Sequence, residues 1–264
     1  HLYARGIEVV LVTSGAIAAG RQHLNLPKED KGVSFRQVLA AAGQSRLMHV
    51  YHELFGRHDI AVAQALLTRN DLTDRLGYLN IRNTLISLLE LRVIPVVNEN
   101  DVVAVDEIGE NVFGDNDTLS ALVANLVDAD LLVMLTDTDG LYTADPHGAM
   151  PGSLIRQVER VDKEIEALAG PRYSSASRGG MITKLEAAKL VTASGVAAVI
   201  AKGSASEVVV RLVQGEEVGT FFVPTATRME SRKRWMLSGL SSRGEIQVDA
   251  GAARALQQQK GSLL

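Results

Sequence analysis

Apolar positions along this chain switch repeatedly between two periods. Short, mostly apolar runs at residues 7–12, 60–67, 93–97, 131–135, 197–201 and 218–223 have the length and composition of strands inside a covered sheet. Between them lie stretches with apolar residues at helical spacing. Leu47, Val50, Tyr51 and Leu54 recur so within 35–55, Ile81, Leu85 and Leu88 within 75–91, and Leu119, Leu122, Val123 and Leu126 further on, each marking one helix face. Residues 184–194 read as another helix. Strand and helix alternating over most of the length predict an α/β fold, with a parallel, doubly wound sheet covered by helices on both faces.

The polar breaks carry the candidate chemistry. Val97-Asn-Glu-Asn-Asp101 ends one apolar run, and Gly114-Asp-Asn-Asp117 opens the helix bearing Leu119. Strand ends and helix starts are where open α/β sheets place ligands, although Asn and Asp also serve as turn and N-cap residues. The turn Thr13-Ser-Gly-Ala16 follows a strand, so backbone N–H groups and the Ser14 hydroxyl stand at a helix start suited to an anion. It lacks the G-x-S-x-G pattern of a hydrolase elbow. Thr136-Asp-Thr-Asp-Gly140 follows another strand and suits hydroxyl or ammonium groups, but its spacing is not that of an EF-hand. Ser177-Arg-Gly-Gly-Met-Ile-Thr-Lys184 joins a Gly-Gly loop to a helix with a basic residue one turn in, an anion cradle without Walker A spacing. The histidines are scattered and form no zinc-binding pattern, so no protein-ligated metal is expected.

Composition narrows the field. A net charge of −4 over 264 residues argues against wholesale binding to nucleic acid or anionic membrane. The absence of cysteine excludes disulfides and thiolate chemistry. No apolar run approaches the ~20 residues of a membrane span, and a cytoplasmic location is expected. Composition changes at Pro224-Thr-Ala-Thr-Arg-Met-Glu-Ser231. Beyond it, a strand at 244–248 and a helix capped by Asp249 read as the start of a second, truncated unit.

Taken together, the motifs resemble the amino acid kinase family, and within it the members that phosphorylate glutamate. The matching segments are Val12-Thr-Ser-Gly-Ala-Ile17, Ala42-Gly-Gln-Ser-Arg46, Leu66-Leu-Thr-Arg69, Val97-Asn-Glu-Asn-Asp101, Gly114-Asp-Asn-Asp117, Leu135-Thr-Asp137, Gly140-Leu-Tyr-Thr-Ala-Asp-Pro146 and Gly179-Gly-Met-Ile-Thr-Lys184. They occur in family order between residues 7 and 223, and the ordered set is far more specific than any one of them. The resemblance implies the family's three-layer αβα sandwich with a mostly parallel open sheet. It implies a kinase domain over 1–224 and the N-terminal part of a small β-rich PUA domain over 232–264.

The implied reaction is phosphoryl transfer from ATP, with Mg²⁺, to the γ-carboxylate of L-glutamate, the first step of proline biosynthesis. Asp117 and Lys184 would be catalytic. Ser14, Gly15, Ala16, Asp101 and Asn116 would bind glutamate. Thr136, Asp137, Arg178, Gly179, Gly180, Met181, Ile182, Thr183 and Lys184 would hold the nucleotide. Feedback inhibition by proline and a homo-oligomer, dimer or tetramer, are also implied, and the PUA segment raises RNA as a partner. The family's opening strand and its Lys-x-Gly-Ser/Thr loop are missing from the N-terminus, and Arg178 stands where Thr is frequent. A sibling kinase for another small carboxylate, or a non-catalytic glutamate or proline sensor, are the alternatives.

Overall fold

The computed structural model describes residues 1–27, 32–103, 116–144, 152–169, 180–227 and 251. The strand and helix expected within 232–264 lie outside these residues. In chain order the elements are β1 (Leu11–Val12), α1 (Ala16–His23), α2 (Val33–Gly56), β2 (Val62–Leu67), α3 (Arg69–Thr73), α4 (Arg75–Glu90), β3 (Ile94–Glu99) and α5 (Asn116–Leu126). There follow β4 (Leu131–Thr136), β5 (Gln157–Val158), α6 (Lys163–Leu168), α7 (Met181–Ala193), β6 (Ala197–Lys202), α8 (Val208–Val213) and β7 (Thr220–Phe222).

The architecture is α/β with mostly parallel strands. They are distributed over two sheets, ordered β1-β3-β2 and β4-β6-β7-β5. Among the described residues, every ladder is parallel except β6 with β7. The strand expected over 7–12 is paired only at Leu11 and Val12, against Val96 and Val97. Four short elements, α3, β5, α6 and α8, escape the periodicity because none runs long enough to repeat a face. The first of them is specified by its cap. Thr68 and Asp71 form a reciprocal box, with the Thr68 N–H donating to Asp71 Oδ2 at 2.7 Å and the Asp71 N–H to Thr68 Oγ1 at 3.3 Å.

α5 links the two sheets. Its Leu119, Val123 and Leu126 pack with Leu67 and Val97 of the first sheet and Leu85 of α4. Its Ala121 and Ala124 join a second cluster with Leu185, Ala187, Ala188, Ile200 and Phe222. A helix apolar on both sides is buried on both sides, and alanines on each partner let α5 and α7 approach closely. Both helices therefore start at positions set by the packing, and their first turns meet.

α1 and α2 also pack through small residues. A Cβ placed on Gly20 would strike the backbone of Leu39, and one on Gly43 would strike the backbone of Ala16 and Gly20. This contact seats the start of α1, which carries the 13–16 turn.

Candidate active site

β1 runs beside β3, and one residue past the strand the Thr13 N–H donates to the Val97 carbonyl at 2.9 Å. That pairing puts the 13–16 turn next to Asn98. The first residue of α5 closes the gap: Asn116 Nδ2 donates to the Thr13 carbonyl and, at 3.0 Å, to Asn98 Oδ1. Asn98 and Asn116, one from each acidic, amide-rich cluster and 18 positions apart, thus meet at one strand end. Gly15 caps α1 at φ +103° without any side-chain cap bond. A left-handed φ favours glycine, and an uncapped helix start offers N–H groups to an anion. Ser14 and Gly15 are exposed and Ala16 is buried. Asp101 is half-buried in the turn that follows β3.

One residue along α5, Asp117 faces α7. Lys184 Nζ donates to Asp117 Oδ2 at 2.8 Å, and Thr183 Oγ1 reaches the same oxygen at 2.9 Å. Lys184 is only 8% exposed, so this is a charge-assisted bond in a largely dry setting. A buried pair of this kind adds little net stability, because desolvation offsets the attraction. Gly180 precedes α7 in extended backbone and supplies no side-chain cap. The N–H groups of Met181 and Ile182 accordingly open a second helix start, beside a lysine. Neighbouring residues Asn116 and Asp117 tie the two halves of the site together.

Thr136 ends β4, and its hydroxyl contacts Asp137 Oδ1 at 3.1 Å. The Gly203 N–H donates to the Thr136 carbonyl at 2.8 Å, fixing this strand end against the end of β6. In the following loop, Tyr142 donates its hydroxyl to Asp139 Oδ2 at 3.0 Å. That bond, with smaller contributions from burial and the Asp139 charge, raises the Tyr142 phenol above its ordinary range. Gly140 and Leu141 are held by buried Thr220, whose Oγ1 accepts from the Leu141 N–H at 2.8 Å and donates to the Ile155 carbonyl at 2.6 Å.

Hydrogen bonds bring Asn116, Asp117, Thr183 and Lys184 of the expected set to one place. Arg178 and Gly179 lie outside the described residues. Sequence reasoning assigned no role to Thr13, Gln44, Gln64 or Asn98, which line up behind Asn116. Tyr51 was read only as part of a helix face, yet its hydroxyl lies 2.6 Å from Thr13 Oγ1. The available signal was an amide inside an otherwise apolar element, as with Gln64 in Val62-Ala-Gln-Ala-Leu-Leu67. Among the described residues there is no group of three or more His, Asp or Glu that could hold a metal ion, and no helix long and apolar enough to cross a membrane.

Residues 1–202 match the amino acid kinase family. The glutamate 5-kinase of Dehalococcoides mccartyi strain CBDB1 is 54% identical over 259 residues, covering 98% of this chain and 69% of the relative. The glutamate 5-kinase of Herpetosiphon aurantiacus is 55% identical over 264 residues, covering all of this chain and 70% of its own length. Among solved structures, carbamate kinase from Giardia lamblia bound to AMP-PNP superposes with a TM-score of 0.53, covering 84% of this chain and 85% of that one. At 18% identity that likeness speaks to fold alone.

Proposed function

The chain belongs to the amino acid kinase family, and from that premise we propose that it transfers the γ-phosphoryl group of ATP to the γ-carboxylate of L-glutamate, opening proline biosynthesis. The observation that carries the site reading is that Asn116 and Asp117 are adjacent. One contacts the uncapped 13–16 turn and the other holds Lys184.

The chemistry asks little beyond placement. A carboxylate is already a nucleophile, so no general base is required, and catalysis reduces to positioning and charge stabilisation. The glutamate α-carboxylate would take the N–H groups of Gly15 and Ala16 and the Ser14 hydroxyl, and its ammonium would lie against Asp101 and Asn116. Lys184 would offset charge on the transferring phosphoryl, with Asp117 orienting the lysine. The nucleotide would be held by 178–184 and by Thr136 and Asp137. The open start of α7 beside Lys184 suits phosphates. Mg²⁺ would neutralise phosphate charge, held mainly by phosphate and water oxygens. Proline, which shares an α-carboxylate and a cationic nitrogen with glutamate, would compete for the same turn and Asp101. The family resemblance further supports a homo-oligomer, which sedimentation would measure.

Glutamate-dependent release of ADP by the full chain, set against aspartate, N-acetylglutamate, carbamate and UMP, is the direct test. Turnover of one of those acceptors with none of glutamate would overturn the reading.

A further inference from the structure

Behind Asn116 stands a row of amides that all point the same way, and its direction is set by the backbone at two places. The Thr13 carbonyl can only accept, so the Asn116 atom against it must be Nδ2. The Glu99 N–H can only donate, and it reaches Asn98 Oδ1 at 2.9 Å. Neither amide can be turned round without setting like against like. Both hydrogens of Asn116 Nδ2 are then engaged, by Thr13 and by Asn98. Asn98, 2% exposed, sends its own Nδ2 to Gln44 Oε1 at 2.9 Å, and Gln44 sends Nε2 to Gln64 Oε1 at 3.1 Å. Among the described residues, nothing donates to Asn116 Oδ1.

We infer that Gln44 is a positioning residue, which acts through Asn98 to hold the Asn116 amide with its oxygen toward the ligand, so that the site selects a hydrogen-bond donor such as the substrate's ammonium. This rests on the glutamate-site reading above and adds a polarity and a residue to it. Gln44 sits on α2, with one amide plane between it and Asn116. Its part is to accept from Asn98 Nδ2. With that acceptor gone, the nearly buried Asn98 would have an unpaired N–H₂ group, and its side chain would shift to find water, drawing Oδ1 away from Asn116. Held then by the Thr13 carbonyl alone, the Asn116 amide would swing about that bond and no longer keep its oxygen aimed at the ammonium. Gln64 lies at the exposed end of the row, where water replaces it as acceptor, so its loss propagates nothing.

The test uses the full chain and compares Gln44→Leu, Gln44→Glu and Gln64→Leu. Gln44→Leu should raise KM for glutamate about tenfold while kcat stays within about threefold. The inhibition constant of glutarate, which has both carboxylates and no ammonium, should not move. Gln44→Glu keeps an oxygen facing Asn98 Nδ2 and should restore KM, and Gln64→Leu should resemble the parent. If Gln44→Leu does not fold, Gln44→Met, close in length and equally without a strong acceptor, carries the same expectation. Unchanged KM in the folded variant, an equal loss of glutamate and glutarate affinity, or no rescue by Gln44→Glu would overturn the inference. A parent chain that releases no ADP with glutamate would instead overturn the functional reading beneath it.

Discussion

Lys184 and Asp117 illustrate how little a side chain's type says about its work. A lysine one turn into a helix after a Gly-Gly loop reads as part of an anion cradle, and here it is nearly buried against a carboxylate on another helix. Lys184→Ala should lower kcat by roughly 10²–10³, or about 3–4 kcal/mol, if the ammonium acts on the transition state. It should also destabilise the fold by about 3–5 kcal/mol, since it takes the buried countercharge away from Asp117. Steady-state kinetics and urea unfolding read the two effects separately, and parent-like turnover would reject the role. Asp101→Ala should act differently, raising KM for glutamate with little change in kcat; an unchanged KM would remove it as the ammonium partner. Tyr142 gives a pH signature. A folded-state pKa above the unfolded value means that its contribution to stability is complete below the unfolded pKa and fades as pH rises through the folded one. Asp139→Asn should bring the phenol back toward its ordinary range in an ultraviolet titration.

At the scale of elements, the long periodic segments were legible and the short ones were not. α4 and α5 each repeat an apolar face over several turns, so their periodicity outweighs local noise, whereas the apolar face read on α2 is only partly buried, with Val50 and Leu54 exposed. α3 depends on one capping box and α6 on Asp162, which accepts from the N–H groups of Glu164 and Ile165 at 3.0 Å. Such caps are legible only when they are sought. The α1–α2 contact was not legible, because a glycine inside a helix looks like a weakness until the facing backbone is known. Gly43→Ala should cost stability by about 1–3 kcal/mol or more through overpacking, despite alanine's better helix propensity. It should also weaken glutamate binding by displacing the start of α1. Denaturant unfolding decides the sign, and a stabilised variant would show that the contact has room to give.

Across the whole molecule, α5 carries the coupling between the two sheets. Its first two residues stand in the two halves of the candidate site, and its two faces pack against separate clusters. Ligands that engage both halves should therefore stabilise the chain together. A non-hydrolysable ATP analogue at about 100 times its Kd should add roughly 2.7 kcal/mol to unfolding stability. Glutamate added on top should raise the thermal midpoint further, and no shift with either ligand would count against the assigned site.

The sequence by itself determined the types of the long periodic elements and the order of the motifs. These rest on local period and composition, which neighbours along the chain carry in full. Only the tertiary structure decided that Asn98 and Asn116 share a hydrogen bond, that Gln44 stands behind them, and that Lys184 is buried on Asp117. Those contacts join residues 18, 54 and 67 positions apart. A hydrogen bond's direction depends on which backbone group lies opposite, and that partner is supplied by sheet pairing and helix packing rather than by any stretch of sequence.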